Sequence, residues 1–379
     1  VFGIILLGAV TVMHAYVFWR ASSVPLLKRR VPPKMLIGAG IMLWTVFFLG
    51  RFAGHNGAGA MAATLELTGM DWMAVLFLTT VCLLTVDIVT GFGLFIPRLA
   101  PSLRGLGLVL GGLLSMIAVV QGMRPPVIHN YEVSLPGLPG KMDGTVVVGV
   151  SDLHVGPLLG AQWLEDRIDQ IRGQEPDMVV LLGDIFEGHG LPRRELLADL
   201  KNLSAPLGVW AVLGNHEFHG REGFGADSFN GADIRVLRNS WREVRPGLVL
   251  AGLDDLTANR RYGRDGDAVT EMLANRPRGA TILLSHTPWQ ADKAAKAGVN
   301  LMLSGHTHGG QIWPFGYLVE RRYPLLAGLY RVGGMAVIVS RGAGAWGPRM
   351  RLWLPGEILR ITLRSEEKKE ASDRRTAGG

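Results

Sequence analysis

Val146-Val147-Val148-Gly149-Val150-Ser151-Asp152-Leu153-His154 opens as five residues without a polar side chain and closes on a carboxylate and an imidazole two positions apart. A continuous, β-branched apolar run of this length predicts a strand buried on both faces. The arrangement recurs downstream. Met178 to Leu182 leads into Gly183-Asp184, Val209 to Leu213 into Gly214-Asn215-His216-Glu217, Thr281 to Leu284 into Ser285-His286, and Leu301 to Leu303 into Gly305-His306-Thr307-His308. Leu248 to Leu253 and Met335 to Val339 read as two more buried strands. Helical segments at Gln162 to Arg172, Arg193 to Leu203, Ala268 to Ala274 and Ala291 to Ala297 fall between several of them, so the region reads as an α/β alternation.

Polar residues at the carboxyl ends of strands in an open sheet converge on one crevice. Five of the ten histidines lie in these clusters. Carboxylate, imidazole and amide oxygen together suit Mn, Fe or Zn. Cysteine has no part in the chemistry: Cys82 is the only one, which excludes an intramolecular disulfide framework and any cysteine-rich zinc or iron–sulfur site. Taken singly, an Asp-x-His or a Gly-Asp describes a turn more readily than a metal ligand. Five such clusters in order, each after a strand, describe a site.

The ordered set Asp-x-His, Gly-Asp, Gly-Asn-His-Glu, His and Gly-His-x-His resembles the calcineurin-like metallophosphoesterase superfamily over about residues 145 to 345, with no signature position missing. The resemblance implies a four-layer αββα sandwich and two divalent ions. Asp152, His154, Asp184 and His308 would hold the first ion, and Asp184, Asn215, His286 and His306 the second, with Asp184 bridging. It also implies a water nucleophile activated between ions about 3.5–4 Å apart. His216 would contact phosphate and act as general acid; the alternative is a histidine that only orients its neighbours. Gly305 to Gln311, followed by Pro314 and Gly316, is similar to a branch of membrane-associated bacterial phosphoesterases whose members commonly carry one amino-terminal anchor or export signal.

Four apolar runs depart from that pattern: 2–19, 35–52, 72–97 and 106–123. Each crosses, or nearly crosses, a hydrocarbon core of about 30 Å at about 1.5 Å per residue. They account for a chain that is 48% hydrophobic and only 19% charged, a composition incompatible with a disordered or fibrous protein. Numbering starts at Val1 rather than Met, consistent with a few residues upstream. The first run lacks the basic leader and small-residue cleavage site of a signal peptide. The expected organisation is a transmembrane region over 1–123, a Pro-containing linker over 124–144, a phosphoesterase domain over 145–364 and a disordered tail over 365–379.

Arg20, Lys28, Arg29, Arg30 and Lys34 between the first two runs predict a cytoplasmic loop, whereas the next loop pairs Arg51 with Glu66 and Asp71. Arg98 and Arg104 mark a second cytoplasmic turn, and three crossings then carry the domain outside an inner or plasma membrane. Asp87 within the third run marks either a functional site or a carboxylate satisfied by neighbouring helices.

Further candidates are weaker. His189 and His219 reach toward substrate or are merely solvated loop residues. Arg193 and Arg194 attract phosphate or simply begin a helix. Trp289, Trp313 and Phe315 line an apolar wall or pack in the core, and Gly309 and Gly310 let backbone pass close to metal. The function expected is a membrane-anchored dimetal phosphoesterase cleaving a phosphodiester or pyrophosphate bond, on a lipid-linked substrate. The alternatives are a nucleotide phosphodiesterase or nuclease, or a membrane sensor or transporter with a regulatory metal-binding domain. The net charge, 39 − 32 = +7, suits nucleic acid, anionic lipid or an anionic substrate alike. No interleaved aromatic and basic nucleic-acid motif is evident, and no specific nucleic-acid partner is expected.

Overall fold

The computed structural model describes residues 2–54, 59–156, 159–187, 194–218, 229, 232–261 and 267–366. The chain divides into two compact units, one of Val1–Arg124 with Gly347–Trp353, the other of Pro125–Trp346 with Leu354–Gly379.

The first unit holds α1 (Phe2–Ser22), the short α2 (Pro25–Arg30), α3 (Pro33–Leu49), α4 (Ala60–Val89) and α5 (Ala100–Gly122). The four long helices are apolar enough, and long enough, to cross a membrane. Val10, Val17, Phe47, Leu76 and Leu83 pack between them, while Ile4, Met35, Ile41 and Met116 remain exposed outside. A helix apolar on every side has no polar face to turn toward water.

Three sequence expectations need correction in this unit. The third apolar helix begins at Ala60, so Glu66 and Asp71 lie inside α4 and not in a loop. Neither residue breaks a helix, and the Asp71 carboxylate accepts the Arg349 N–H at 2.8 Å. Arg20 and Arg104 are likewise no loop cations, since both are buried in helices. Asp87 draws them there: its carboxylate pairs with Arg20 Nε at 2.6 Å and Arg104 Nε at 2.8 Å and accepts the Tyr16 hydroxyl at 2.6 Å. A buried carboxylate persists only when paired in this way. Third, residues 347–353 belong with the helices: Arg351 N–H donates to Ala118 O and Trp353 N–H to Gln121 Oε1.

The second unit runs β1 (Val127–Leu135), β2 (Val146–Val150), α6 (Ala161–Arg172), β3 (Met178–Leu181), α7 (Arg194–Leu200), β4 (Val209–Ala211), β5 (Ile234–Val236), β6 (Ser240–Arg245) and β7 (Leu248–Gly252). It continues through α8 (Leu256–Arg261), α9 (Ala268–Leu273), β8 (Ala280–Leu284), α10 (Ala291–Lys296), β9 (Leu301–Ser304), α11 (Gly316–Glu320), β10 (Gly328–Val332), β11 (Met335–Val339) and β12 (Glu357–Ser365). Two six-stranded sheets result, ordered β1-β12-β2-β3-β4-β5 and β10-β11-β9-β8-β7-β6. Val147, Val180 and Trp210 of the first sheet pack against Leu250, Ile282 and Leu303 of the second. The alternate residues face outward: Val148, Val179 and Val209 meet Leu164 and Ile168 of α6 and Leu196 of α7. Leu283 and Val337 meet Met272 of α9 and Ala294 of α10. This is the αββα sandwich, and burial on both faces is why its inner strands read as unbroken apolar runs.

The segment expected as a linker over 124–144 instead contributes β1, whose nine residues pair in parallel with β12. Its polar-alternating sequence hides an edge strand. β12 extends to Ser365, whose hydroxyl donates to Leu138 O. The expected tail therefore loses its first residue to the sheet, and from 367 onward it lies outside the described residues.

Candidate metal centre

β2, β3, β4, β8 and β9 end on the same side of their sheets because they run parallel within each sheet. The chain leaves them as Asp152 and His154, Asp184, Asn215 and His216, His286, and His306 and His308. Asp152, His154, Asp184, His306 and His308 all have φ between +48° and +73°. Left-handed backbone costs a side-chain-bearing residue about 1–3 kcal/mol, and such strain gathers at functional sites. Two glycines leave room for the carboxylates. A Cβ on Gly214 would stand 2.2 Å from Asp184 Oδ1, and one on Gly305 would stand 2.5 Å from Asp152 Oδ2.

Three groups of donor atoms could each hold an ion: Asp152, His154 and His308; His154, Asp184 and His216; and Asp184, His286 and His306. His308 Nε2 stands 3.3 Å from Asp152 Oδ1 and 3.2 Å from His154 Nε2. His286 Nε2 stands 3.1 Å from Asp184 Oδ2 and 3.3 Å from His306 Nδ1. Asp184 Oδ2 also lies 4.0 Å from His154 Nε2, between the two histidine pairs.

Hydrogen bonds elsewhere on the rings decide which nitrogens face inward. His154 Nδ1 meets Glu187 Oε2 at 2.5 Å, His286 Nδ1 donates to Leu182 O at 2.8 Å, and His306 Nε2 meets the Tyr323 hydroxyl at 2.8 Å. The remaining nitrogens face one another across 3.2–3.3 Å, close enough for one ion to be held by both rings of a couple. Asn215 Oδ1 adds a buried acceptor that has no hydrogen-bond partner among the described residues. The donor set thus fits divalent metal of borderline hardness.

Backbone N–H groups hold the outer carboxylate oxygens. The His216 N–H donates to Asp184 Oδ1 at 2.8 Å, and the His306 N–H reaches Asp152 at 3.1 Å. Burial opposes ionisation of Asp184, yet the neighbouring charges of His286 and His216 hold it well below the usual carboxylate range. His216 sits in the same field. Burial works against its proton, but Asp184 and then Glu187 push its pKa up to about 10. Its Nδ1 lies 3.1 Å from Glu187 Oε2, which aims Nε2 toward Asp184 Oδ2 at 3.9 Å.

Seven of the eight residues expected at the site therefore fall into overlapping groups of donor atoms, and the eighth, Asn215, precedes His216 in the chain. Several residues that support them carry no local signal. Glu187 spans His154 and His216, but nothing in its sequence surroundings marks it. Tyr323 reaches His306 from fifteen residues beyond His308. Asp255, after β7, accepts the Thr287 hydroxyl next to His286 and the Thr257 and Ala258 N–H groups. Glu217 belongs to the third cluster, and its role appears only in space: it accepts N–H bonds from Asp184, Ile185, Phe186 and Gly214 at 2.7–3.2 Å.

Among the weaker candidates, His189, His219 and Arg193 lie outside the described residues, as does the side chain of Arg194. Trp289 stacks on Tyr323 with centroids 5.5 Å apart and an interplanar angle of 17°, beneath the Arg322 guanidinium. Trp313 and Phe315 are 39% and 41% exposed and so are not core residues. Gly309 and Gly310 are buried, with φ of +61° and +82°.

Residues 145–310 match the family model for calcineurin-like phosphoesterases. A transmembrane protein with metallophosphoesterase domain from Bos taurus is 31% identical over 275 residues, covering 69% of this chain and 62% of its own length, so this chain spans less than two thirds of that relative. A metallophosphoesterase of Aquifex aeolicus is 34% identical over 246 residues, which is 63% of this chain and 92% of that protein. Among solved structures, a dimetal phosphatase from Danio rerio is 14% identical over 53% of this chain and 88% of its own, with a TM-score of 0.35. Sequence identity at this level along most of the Aquifex protein, with every strand-end cluster in its place, makes this chain a member of the calcineurin-like phosphoesterase family, a metallophosphoesterase with four apolar helices at its amino-terminal end.

Proposed function

We propose that the protein is a multi-pass membrane phosphoesterase in which Asp152, His154, Asp184 and His308 hold one divalent ion, and Asp184, Asn215, His286 and His306 hold a second. The observation that carries the proposal is the pair of histidine couples, His154 with His308 and His286 with His306, whose ring nitrogens face each other across 3.2 and 3.3 Å on either side of Asp184. Bound Mn, Fe or Zn would supply the charge that lowers the pKa of a water and draws in phosphate oxygens for in-line displacement.

The chain's own residues manage the proton. As the bond from phosphorus to the leaving oxygen breaks, His216 Nε2 gives that oxygen its proton. Glu187 holds the ring in position through Nδ1, and Glu217 keeps the backbone from 184 to 186 rigid around the bridging carboxylate. The water oxygen ends on phosphorus, and the second product is an alcohol or a phosphate.

The substrate is a phosphodiester or pyrophosphate carried on lipid. Apolar helices would hold the domain near lipid and raise the effective concentration of such a substrate. Trp313, Phe315, Tyr317 and Leu318, all exposed and shortly after His308, support an apolar approach to the cleft. A transporter reading loses Asp87, which is already paired with two arginines. The catalytic domain lies outside the membrane: Lys28, Arg29, Arg30 and Lys34 retain the charge that assigns the first loop to the cytoplasm. The Asp87 cluster, which gathers the carboxyl ends of α1 and α4 with the amino end of α5, supports three crossings after that loop.

Purified full-length protein with added Mn, screened against lipid pyrophosphates, lipid phosphodiesters and soluble nucleotide esters, is expected to turn over a lipid ester fastest. Faster turnover of a nucleotide diester would overturn the substrate assignment, and no turnover of any ester would overturn the chemistry. Protease added to intact spheroplasts should digest the domain, and protection until lysis would place it in the cytoplasm.

A further inference from the structure

A groove of about 640 Å³ runs along the helical unit between α1, α2 and α3, a volume within the range of about 300–1,000 Å³ typical of ligand sites. Phe18 and Trp19 of α1, Leu27 and Lys28 of α2, and Ile37 and Trp44 of α3 line it. Its two ends differ in chemistry. At one end the Trp44 indole N–H donates to Thr11 Oγ1 at 3.0 Å and ties α3 to α1. Eleven residues away along either helix, at about 1.5 Å each, or about 16 Å, Ser22 and Pro33 mark an open end next to Lys28.

The open end is cationic. Lys28, Arg29 and Arg30 close α2, Lys34 opens α3, and no Asp or Glu occurs before Glu66. All four side chains are exposed, and among the described residues none has an acidic partner. The walls beside the groove present Met35, Ile41 and Met42 outward at 59–66% exposure, which suits hydrocarbon rather than water. Trp19, one turn from the open end, is of the kind that sits where the two environments meet.

We infer that this groove binds one anionic phospholipid, with an acyl chain along α1 and α3 and the headgroup phosphate at Lys28 and Arg29. A short apolar trench about 16 Å long with a basic mouth matches the two halves of such a lipid, and a cluster of juxtamembrane basic residues is the expected reader of its charge. The inference rests on the helices spanning a membrane and is independent of the phosphoesterase chemistry.

Native mass spectrometry of the full-length protein, titrated with phosphatidylglycerol or phosphatidylcholine of identical acyl chains, tests it. One phosphatidylglycerol per chain should be retained at concentrations where phosphatidylcholine is not. Lys28→Ala with Arg29→Ala should weaken phosphatidylglycerol by roughly fivefold per charge removed, about 25-fold together. Ile37→Trp, which fills the groove while leaving the charge, should weaken both lipids, and Lys28→Arg, which keeps the charge, should bind as the wild type does. Equal retention of the two lipids, or displacement of phosphatidylglycerol by millimolar glycerol phosphate alone, would overturn the lipid assignment.

Discussion

Glu187→Gln keeps the shape of the side chain and removes its charge, which makes it the sharpest probe of how the cleft manages protons. The carboxylate serves two imidazoles, His154 Nδ1 at 2.5 Å and His216 Nδ1 at 3.1 Å. Both rings meet the same oxygen, Oε2, so the amide oxygen can still accept from both, but without the charge. The short contact keeps His154 in place, and the longer one to His216, whose proton the Glu187 charge helps to hold, is the one that weakens. Loss at His154 would weaken metal binding by about 10–100-fold, the usual effect of removing the group behind a metal-bound histidine. Loss at His216 would instead lower kcat toward the roughly 10²–10⁴-fold worth of a general acid, with metal affinity nearly intact. The assay is a metal titration of hydrolysis with two esters, one leaving as p-nitrophenolate and one as an alkyl alcohol. The expected result is an unchanged metal midpoint, kcat on the alkyl ester down by on the order of 10²-fold, and a smaller loss on the nitrophenyl ester, whose leaving group needs no proton. A variant with both kcat and metal midpoint within twofold of wild type would refute the role assigned to Glu187.

Asp184→Asn removes the one carboxylate shared by both histidine couples, and elemental analysis should show metal content and activity falling together. His216→Ala should retain its metal and lose about 10²–10⁴-fold in rate; loss of metal in that variant would make His216 a ligand. Glu217→Gln leaves one carbonyl oxygen where the carboxylate accepted four N–H bonds, so about two charge-assisted bonds of roughly 1.5–3 kcal/mol each are lost, and the melting temperature should drop even with metal in excess. Gly214→Ala places a methyl within 2.2 Å of Asp184 Oδ1 and should abolish metal binding, as measured by equilibrium dialysis.

Local chemistry was legible wherever one segment carried it whole. The strands β2, β3, β4, β7, β8, β9 and β11 are buried on both faces, so each announces itself as an apolar run. The histidines and carboxylates that follow them form clusters only a few residues long. β1, β5, β6, β10 and β12 left no such trace, because their mixed polar and apolar residues lie at sheet edges or alternate between environments. Expecting a linker across 124–144 follows from the same blindness: β1 is a strand only because β12, more than two hundred residues later, lies beside it.

The four apolar helices, the buried strands and the strand-end ligands follow from the order of residues alone, since hydrophobic period and short motif are properties of neighbours in the chain. Fold decided what depends on distant partners. Glu187 matters because it lies under two rings from different strands, and Glu217 because four N–H groups turn toward it. Asp87 ceases to be an anomaly once Arg20, Arg104 and Tyr16 surround it, and residues 347–353 join the helices although they lie late in the chain. A buried charge or an orphaned donor is satisfied by whatever the packing brings within 3 Å, and sequence separation places no limit on that choice.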